Sequence, residues 1–128
     1  MRLDIYNLEK KYGDFILKVM DFHSTDAETI GLVGNNGAGK TTFLKLVLDL
    51  IVPDKGELYS NEETITLSEH WKEYTGSFLD EDFLIQFLTP MEFFRFIAGI
   101  YNITEDNLKT RLLIFKSFLN FDLNRKKY

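Results

Sequence analysis

The nine residues Gly34-Asn35-Asn36-Gly37-Ala38-Gly39-Lys40-Thr41-Thr42 constrain this chain more than any other stretch. They fit the phosphate-binding loop pattern G-x-x-x-x-G-K-[ST], with Gly34, Gly39, Lys40 and Thr41 at its fixed positions. The flanks suit that pattern. Glu28-Thr29-Ile30-Gly31-Leu32-Val33 reads as a short buried strand, and the residues from Thr41 onward read as a helix. The loop is therefore expected between strand and helix, where its chemistry requires it.

Glycines at 34, 37 and 39 permit positive φ, and without a Cβ the main chain can approach phosphate oxygens closely. Successive N–H groups then form an anion nest, to which the first turn of the helix adds free donors and the positive end of its dipole. Lys40 is expected to bring a mobile ammonium to the β- and γ-phosphates. Thr41 offers a hydroxyl to Mg²⁺, and Thr42 can reach an α-phosphate oxygen. The ligand expected is a nucleoside triphosphate with magnesium.

At 128 residues the chain is one domain or part of one. Hydrophobic residues make up 45%, enough for a core. Fifteen basic against 20 acidic residues give a net charge of −5, which argues against bulk binding to nucleic acid or anionic lipid. The short cluster Arg125-Lys126-Lys127 reads as a solvated connector. With no cysteine, disulfides, thiol catalysis and cysteine-ligated metals are excluded. No apolar run reaches membrane-spanning length and no signal-peptide core follows Met1, so a soluble, cytoplasmic protein is expected. His23 and His70 lack a second ligand at helical or hairpin spacing and read as surface or packing residues.

Along the chain, Arg2 to Leu8 alternates as a half-buried strand, Tyr12-Gly13-Asp14 makes a turn, and Phe15 to Phe22 is its antiparallel partner. The helix after Lys40 is expected to run to about Ile51, apolar on most sides apart from Lys45 and Asp49. Pro53-Asp54-Lys55-Gly56 ends it with turn chemistry. Glu57–Ser60 and Glu63–Leu67 read as short strands, and Gly76–Leu79 as a further one. Thr89-Pro90-Met91-Glu92 joins a capping box to a proline at the first helical position and starts a helix to about Tyr101. Thr104-Glu105-Asp106 starts another, with Leu108, Leu112, Phe115 and Leu119 on one face. Mixed α/β is the fold class.

These residues resemble the ATP-binding domain of ABC transporters over the whole chain. The loop is the Gly-x-Asn-Gly-Ala-Gly-Lys-Thr-Thr version typical of that family. Lys10-Lys11-Tyr12-Gly13 lies upstream at the family's spacing for an aromatic that stacks on adenine. Leu50 to Glu57 looks like the family's helix-to-strand turn. Phe83 to Tyr101 looks like the segment after the Q-loop in exporter-type ATPases. The resemblance implies a P-loop NTPase fold of the ABC type, with an antiparallel β cover and the start of a helical subdomain. Residues 1–88 would be the nucleotide-binding α/β core and 89–128 the start of the helical subdomain. It implies ATP and Mg²⁺ as ligands, Tyr12 on adenine, Gly34, Asn35, Asn36, Gly37, Ala38, Gly39, Lys40, Thr41 and Thr42 on the nucleotide, and Thr41 with Asp80 on the metal. It further implies a transmembrane permease and a second ATP-binding domain as partners, no nucleic acid, and a peripheral place on the inner face of the cell membrane.

Two departures stand out. Asp80 occupies the position where the family carries the Q-loop glutamine, and a carboxylate can still ligate Mg²⁺; Gln86 is out of register for that role. The Leu-Ser-Gly-Gly-Gln signature, the Walker B strand and the switch histidine do not appear, so the chain reads as the N-terminal, incomplete part of such a domain, expected to show no turnover alone. Two alternatives stay open. In one, Ser77-Phe78-Leu79-Asp80-Glu81 is a Walker B strand and the protein a small stand-alone NTPase or kinase, with Asp80 on magnesium and Glu81 activating water. In the other, the chain is a module that holds nucleotide without hydrolysing it. Phe83, Phe87, Phe93, Phe94 and Phe96 read singly as core, and as a group as a groove for a permease helix.

Overall fold

The computed structural model describes residues 2–79, 85 and 87–125. The chain divides into two compact units, Met1–Leu79 and Asp80–Tyr128.

The first unit is built on one long strand, β1 (Leu3–Tyr12). Its second half pairs antiparallel with β2 (Phe15–Val19) and its first half with the two-residue β3 (Phe22–His23). On its other edge runs β4 (Lys55–Ser60), followed outward by β5 (Glu63–Thr64), both antiparallel. The turns follow the expected chemistry. Gly13, at φ 55, opens the two-residue connection that sets Tyr12 opposite Phe15. Asn61 and Glu62, both at positive φ, join β4 to β5 in the handedness that suits strand twist.

Between Tyr6 and Glu9 the β1–β4 register shifts, with Asn7 at φ 46. Gly56 lies against this bulge at φ 85, where a Cβ would fall on the carbonyl oxygens of Asn7 and Tyr6. Asp54 ties the same corner from below. Its N–H donates to the Glu9 carbonyl, and its carboxylate accepts from the Lys11 N–H (2.7 Å) and from Lys10 Nζ (3.1 Å).

One face of the sheet carries the core. Ile5, Leu8, Leu58 and Ile65 meet Leu46 from helix α1 (Lys40–Val47) and Trp71 from a 3₁₀ turn (His70–Tyr74). The Trp71 indole N–H donates to the Ile65 carbonyl at 3.1 Å, so burying its ring leaves no polar atom unpaired. α1 is shorter than expected and buries one stripe only. Leu46 is buried, Phe43 and Val47 flank it, and Leu44 is 41% exposed. The helix ends early because Asp49 adopts φ 53, its N–H donating to Leu46 and that of Leu50 to the Lys45 carbonyl. That is a Schellman ending with aspartate where glycine is usual.

Three further expectations are corrected. Glu28–Val33 is neither a regular strand nor buried: Ile30 is 51% and Val33 94% exposed. A strand needs a ladder neighbour, and among the described residues no strand pairs with this segment. The strand expected over Glu63–Leu67 closes after Thr64, and Gly76–Leu79 has no regular structure.

The second unit contains α2 (Pro90–Ile100) and α3 (Glu105–Ile114). The capping box is formed in full: the Glu92 N–H donates to Thr89 Oγ1 at 3.2 Å, and the Thr89 N–H to the Glu92 carboxylate at 2.7 Å. α2 also ends in a Schellman arrangement, with Asn102 at φ 53. Ala98 and Leu108 are the buried residues of the pair, Arg95 donates to Glu105 at 3.0 Å between the helices, and Phe115 is 56% exposed. Phe87 and Phe96 are exposed, and Phe83 lies outside the described residues. Among the described residues no helix is long and apolar enough to cross a membrane.

Candidate functional site: a glycine loop at the start of the first helix

The loop follows the irregular segment ending at Val33 and delivers the chain into α1 at Lys40. Two of its three glycines are in the left-handed region, Gly37 at φ 81 and Gly39 at φ 96. Gly34 does not use that freedom. Its backbone is one that other residues adopt, and a Cβ there would only touch that of Ala38 at 3.4 Å.

At Gly37 a Cβ would meet nothing within 4 Å, so this stretch of backbone faces open space. At Gly39 the opposite holds: a Cβ would stand 2.8 Å from Phe15 Cζ and 3.2 Å from Leu17 Cδ1. The β2 strand is thus seated directly on the loop.

The first bond of α1 runs from the Phe43 N–H to the Gly39 carbonyl (2.8 Å), and no side chain caps the helix. The N–H groups of Lys40, Thr41 and Thr42 precede that bond and have no acceptor within the helix. They point the positive end of the helix dipole at the loop. No acidic residue sits in this first turn to compensate it.

Lys40 is bent back over the loop, its ammonium donating to the carbonyls of Gly34 (2.7 Å) and Asn35 (2.8 Å). The expected mobile ammonium is therefore positioned by the loop itself. An ammonium carries three N–H donors, and these bonds engage two of them. The Ala38 N–H closes the loop on the Asn35 carbonyl at 3.2 Å.

Asn36, Gly37, Gly39, Lys40, Thr41 and Thr42 come together around one open depression of about 350 Å³, and Phe15 completes its wall. Gly34 and Asn35 contribute through their carbonyls on Lys40. Ala38 faces an adjoining apolar cavity of about 440 Å³, shared with Leu17, Phe22, Ile30, Phe43 and Val47.

Tyr12 does not line the depression. It sits at the end of the hairpin, 49% exposed, directly opposite Phe15 in the register. Directly paired residues share a sheet face, so its ring is on the loop side of the hairpin. The Lys10 ammonium stands 5.5 Å from the Tyr12 ring centre and is held by Asp54. The Lys11 N–H, and after it the Lys10 ammonium, hold the Asp54 carboxyl below its ordinary range. Asp80, the expected second metal ligand, lies outside the described residues, as do Glu81 and Gln86.

Phe15 was not singled out by the sequence. The signal was present in the alternation of Phe15, Leu17 and Val19, which puts one face of β2 toward the loop. The other sequence candidates lie elsewhere. The His23 ring nitrogen is 2.8 Å from the buried Asp4 carboxylate, and His70 is 3.3 Å from Glu63. Among the described residues no three acidic, histidine or cysteine side chains are grouped to hold a metal.

A glycine loop of this form, opening a helix and covered by an antiparallel hairpin, has the geometry of a P-loop. Residues 17–125 match the family model for the ABC transporter. The chain belongs to that family. It is 30% identical over 125 residues to the ABC transporter F family member 2 of Arabidopsis thaliana, covering 94% of this chain and 18% of that protein. It is 36% identical over 91 residues to the Nod factor export ATP-binding protein I of Burkholderia orbicola, covering 66% of this chain and 30% of that protein. A solved dimeric ATP-binding cassette, in a post-hydrolysis state with ADP and Pi, shares the fold at TM-score 0.72 and 20% identity, over 97% of this chain and 61% of that one. The chain thus spans under a third of these curated relatives. Its fold class is the expected one: a P-loop α/β unit with an antiparallel β cover, covering part of a cassette domain.

Proposed function

We propose that the chain binds Mg-ATP as the phosphate-holding part of an ABC transporter ATP-binding subunit. One observation carries this reading: three helix-start N–H groups, a glycine backbone open to solvent and a positioned lysine converge on one depression. Such a nest suits a polyphosphate and little else of comparable size. Gly37 and Gly39 let the main chain approach the ligand, and Lys40 supplies the charge. Thr41, exposed at the depression, suits a metal-ligating hydroxyl, and the family resemblance alone assigns Asp80 as a second ligand. When bound, Mg²⁺ supplies charge neutralisation along the phosphates. The family resemblance assigns Tyr12, on the loop side of the hairpin and outside the depression, to adenine.

The wider assignment rests on the relatives. One is named for export and ATP binding, and the solved cassette is a dimer holding ADP and Pi. By that analogy the complete domain pairs with a second ATP-binding domain, acts on a separate membrane permease at the inner face of the cell membrane, and hydrolyses ATP. Residues 1–88 would form its nucleotide core and 89–128 the start of its helical subdomain. The groups that polarise water are then supplied outside these 128 residues. General-base assistance alone is worth roughly 10²- to 10⁴-fold in rate.

Titration of the 128-residue chain with ATP and magnesium, followed by a phosphate-release assay, tests both halves. The reading predicts binding with release at background. A folded chain that binds no ATP overturns it. A magnesium- and Lys40-dependent rate near 1 s⁻¹, ordinary for a working enzyme, would instead favour the stand-alone NTPase with Asp80 and Glu81 as its Walker B pair.

A further inference from the structure

The wall of the phosphate depression contains one group that cannot serve a phosphate. Asn36, Gly37, Lys40, Thr41 and Thr42 offer amide, ammonium and hydroxyl donors, whereas Phe15 offers only a ring. A phenyl ring carries no N–H or O–H donor and no charge with which to hold a phosphate oxygen. What it attracts is a planar base or the C–H surface of a sugar. The ring is fixed where it stands from two sides. Its tip packs where a Cβ of Gly39 would be, and its backbone is the register partner of Tyr12 at the tight end of the hairpin. Tyr12 and Phe15 are therefore two rings on one face of one hairpin, and only Phe15 reaches the depression.

We infer that Phe15 is a nucleoside-contacting residue: its ring receives the sugar–base part of the bound nucleotide where that part leaves the phosphate loop. The inference rests on the phosphate-loop reading above and adds to it a second aromatic besides Tyr12. It separates the ligand into two portions with different determinants. Lys40 and the helix-start N–H groups serve the polyphosphate, and Phe15 serves the nucleoside.

Calorimetric affinities of the full chain for ATP and for inorganic tripolyphosphate separate these portions. Phe15→Leu keeps an apolar side chain against Gly39 and removes the ring. ATP affinity should fall roughly tenfold, within the range for loss of one base–aromatic contact, with tripolyphosphate affinity unchanged within about twofold. An equal fall for both ligands would mean that Phe15 only props the loop through Gly39, and no fall for either would mean that its ring is unused; both results overturn the inference. Should Phe15→Leu fail to fold, the ring resonances of Phe15 in the unaltered protein decide the matter. They should shift with ATP and stay in place with tripolyphosphate, and equal shifts with the two ligands overturn it. Lys40→Ala should weaken both ligands together, so a failure at Phe15 alone leaves the phosphate-loop reading standing. An unaltered chain that binds neither ligand removes both.

Discussion

Gly39 and Phe15 share a space that a single methyl group would overfill, since a Cβ at Gly39 would lie 2.8 Å from Phe15 Cζ. The contact joins the turn that starts α1 to the strand that covers it, so the loop's conformation and the hairpin's position are set together.

The glycines of this unit should differ in their tolerance of alanine, and in a definite order. Gly37→Ala meets only the cost of a left-handed backbone, about 1–2 kcal/mol, because nothing occupies the space around it. Gly39→Ala adds displacement of the Phe15 ring, for about 2–3 kcal/mol in total. Gly56→Ala would push into two backbone carbonyls, which cannot rotate away as a ring can, and should cost about 4 kcal/mol or prevent folding. Urea unfolding of the three variants checks the order, and Gly39→Ala as mild as Gly37→Ala would contradict the packing described.

Acid should find Asp4. Its side chain is only 5% exposed, with the His23 ring nitrogen at 2.8 Å and the Arg2 guanidinium at 3.0 Å. The His23 hydrogen bond holds its carboxyl below the ordinary value, burial opposes this, and the Arg2 charge adds to the lowering. A depressed carboxyl contributes stability that is fully present above its unfolded value, about 3.9, and lost as pH falls through the folded value. The urea midpoint should therefore be steady in this respect from neutral pH to about pH 4 and fall below it, with Asp4→Asn flattening that fall. A wild-type midpoint unchanged from pH 4 to pH 2.5 would contradict the sign.

Removal of the Thr89 hydroxyl should destabilise the second unit by about 1 kcal/mol, the usual value of an N-cap. Thr89→Ser keeps the acceptor for the Glu92 N–H and should retain most of that stability. Far-UV circular dichroism through a thermal scan distinguishes the two, and equal losses would show that the methyl group rather than the cap matters.

Where a residue's own chemistry dictates geometry, the sequence was sufficient. Gly13 marked the hairpin, Thr89-Pro90-Met91-Glu92 marked a helix start to the residue, and the loop from Gly34 to Thr42 was read with its helix. Features that depend on partners were not legible. Val33 looks like a strand residue, but a strand exists only with a neighbour, and this segment pairs with none among the described residues. The end of α1 was hidden because Asp49, not glycine, takes the left-handed position. Which of the three loop glycines use their freedom of φ is set by the folded loop: Gly37 and Gly39 do and Gly34 does not. The alternation of Phe15, Leu17 and Val19 marks one face of β2, but that this face lies against Gly39 depends on a tertiary contact that the sequence does not display.

Thr41 should reveal the metal. Its side chain is on the rim of the depression and makes no contact needed for the loop's internal bonds, so Thr41→Ala should fold normally. ATP affinity should fall roughly tenfold in magnesium, the scale of one lost contact to a charged group, and much less in excess chelator. Equal falls in both conditions would remove Thr41 as a metal ligand.

The account depends most on Lys40, whose ammonium is held over the loop by the Gly34 and Asn35 carbonyls. Calorimetric titration of Mg-ATP into the unaltered chain and into Lys40→Ala, with circular dichroism to show that both are folded, tests it directly. Truncating one partner of a charge-assisted contact costs about 2–4 kcal/mol, so affinity should fall roughly thirtyfold or more. Equal affinity in the two proteins would contradict the assignment of Gly34 to Thr42 as the phosphate site.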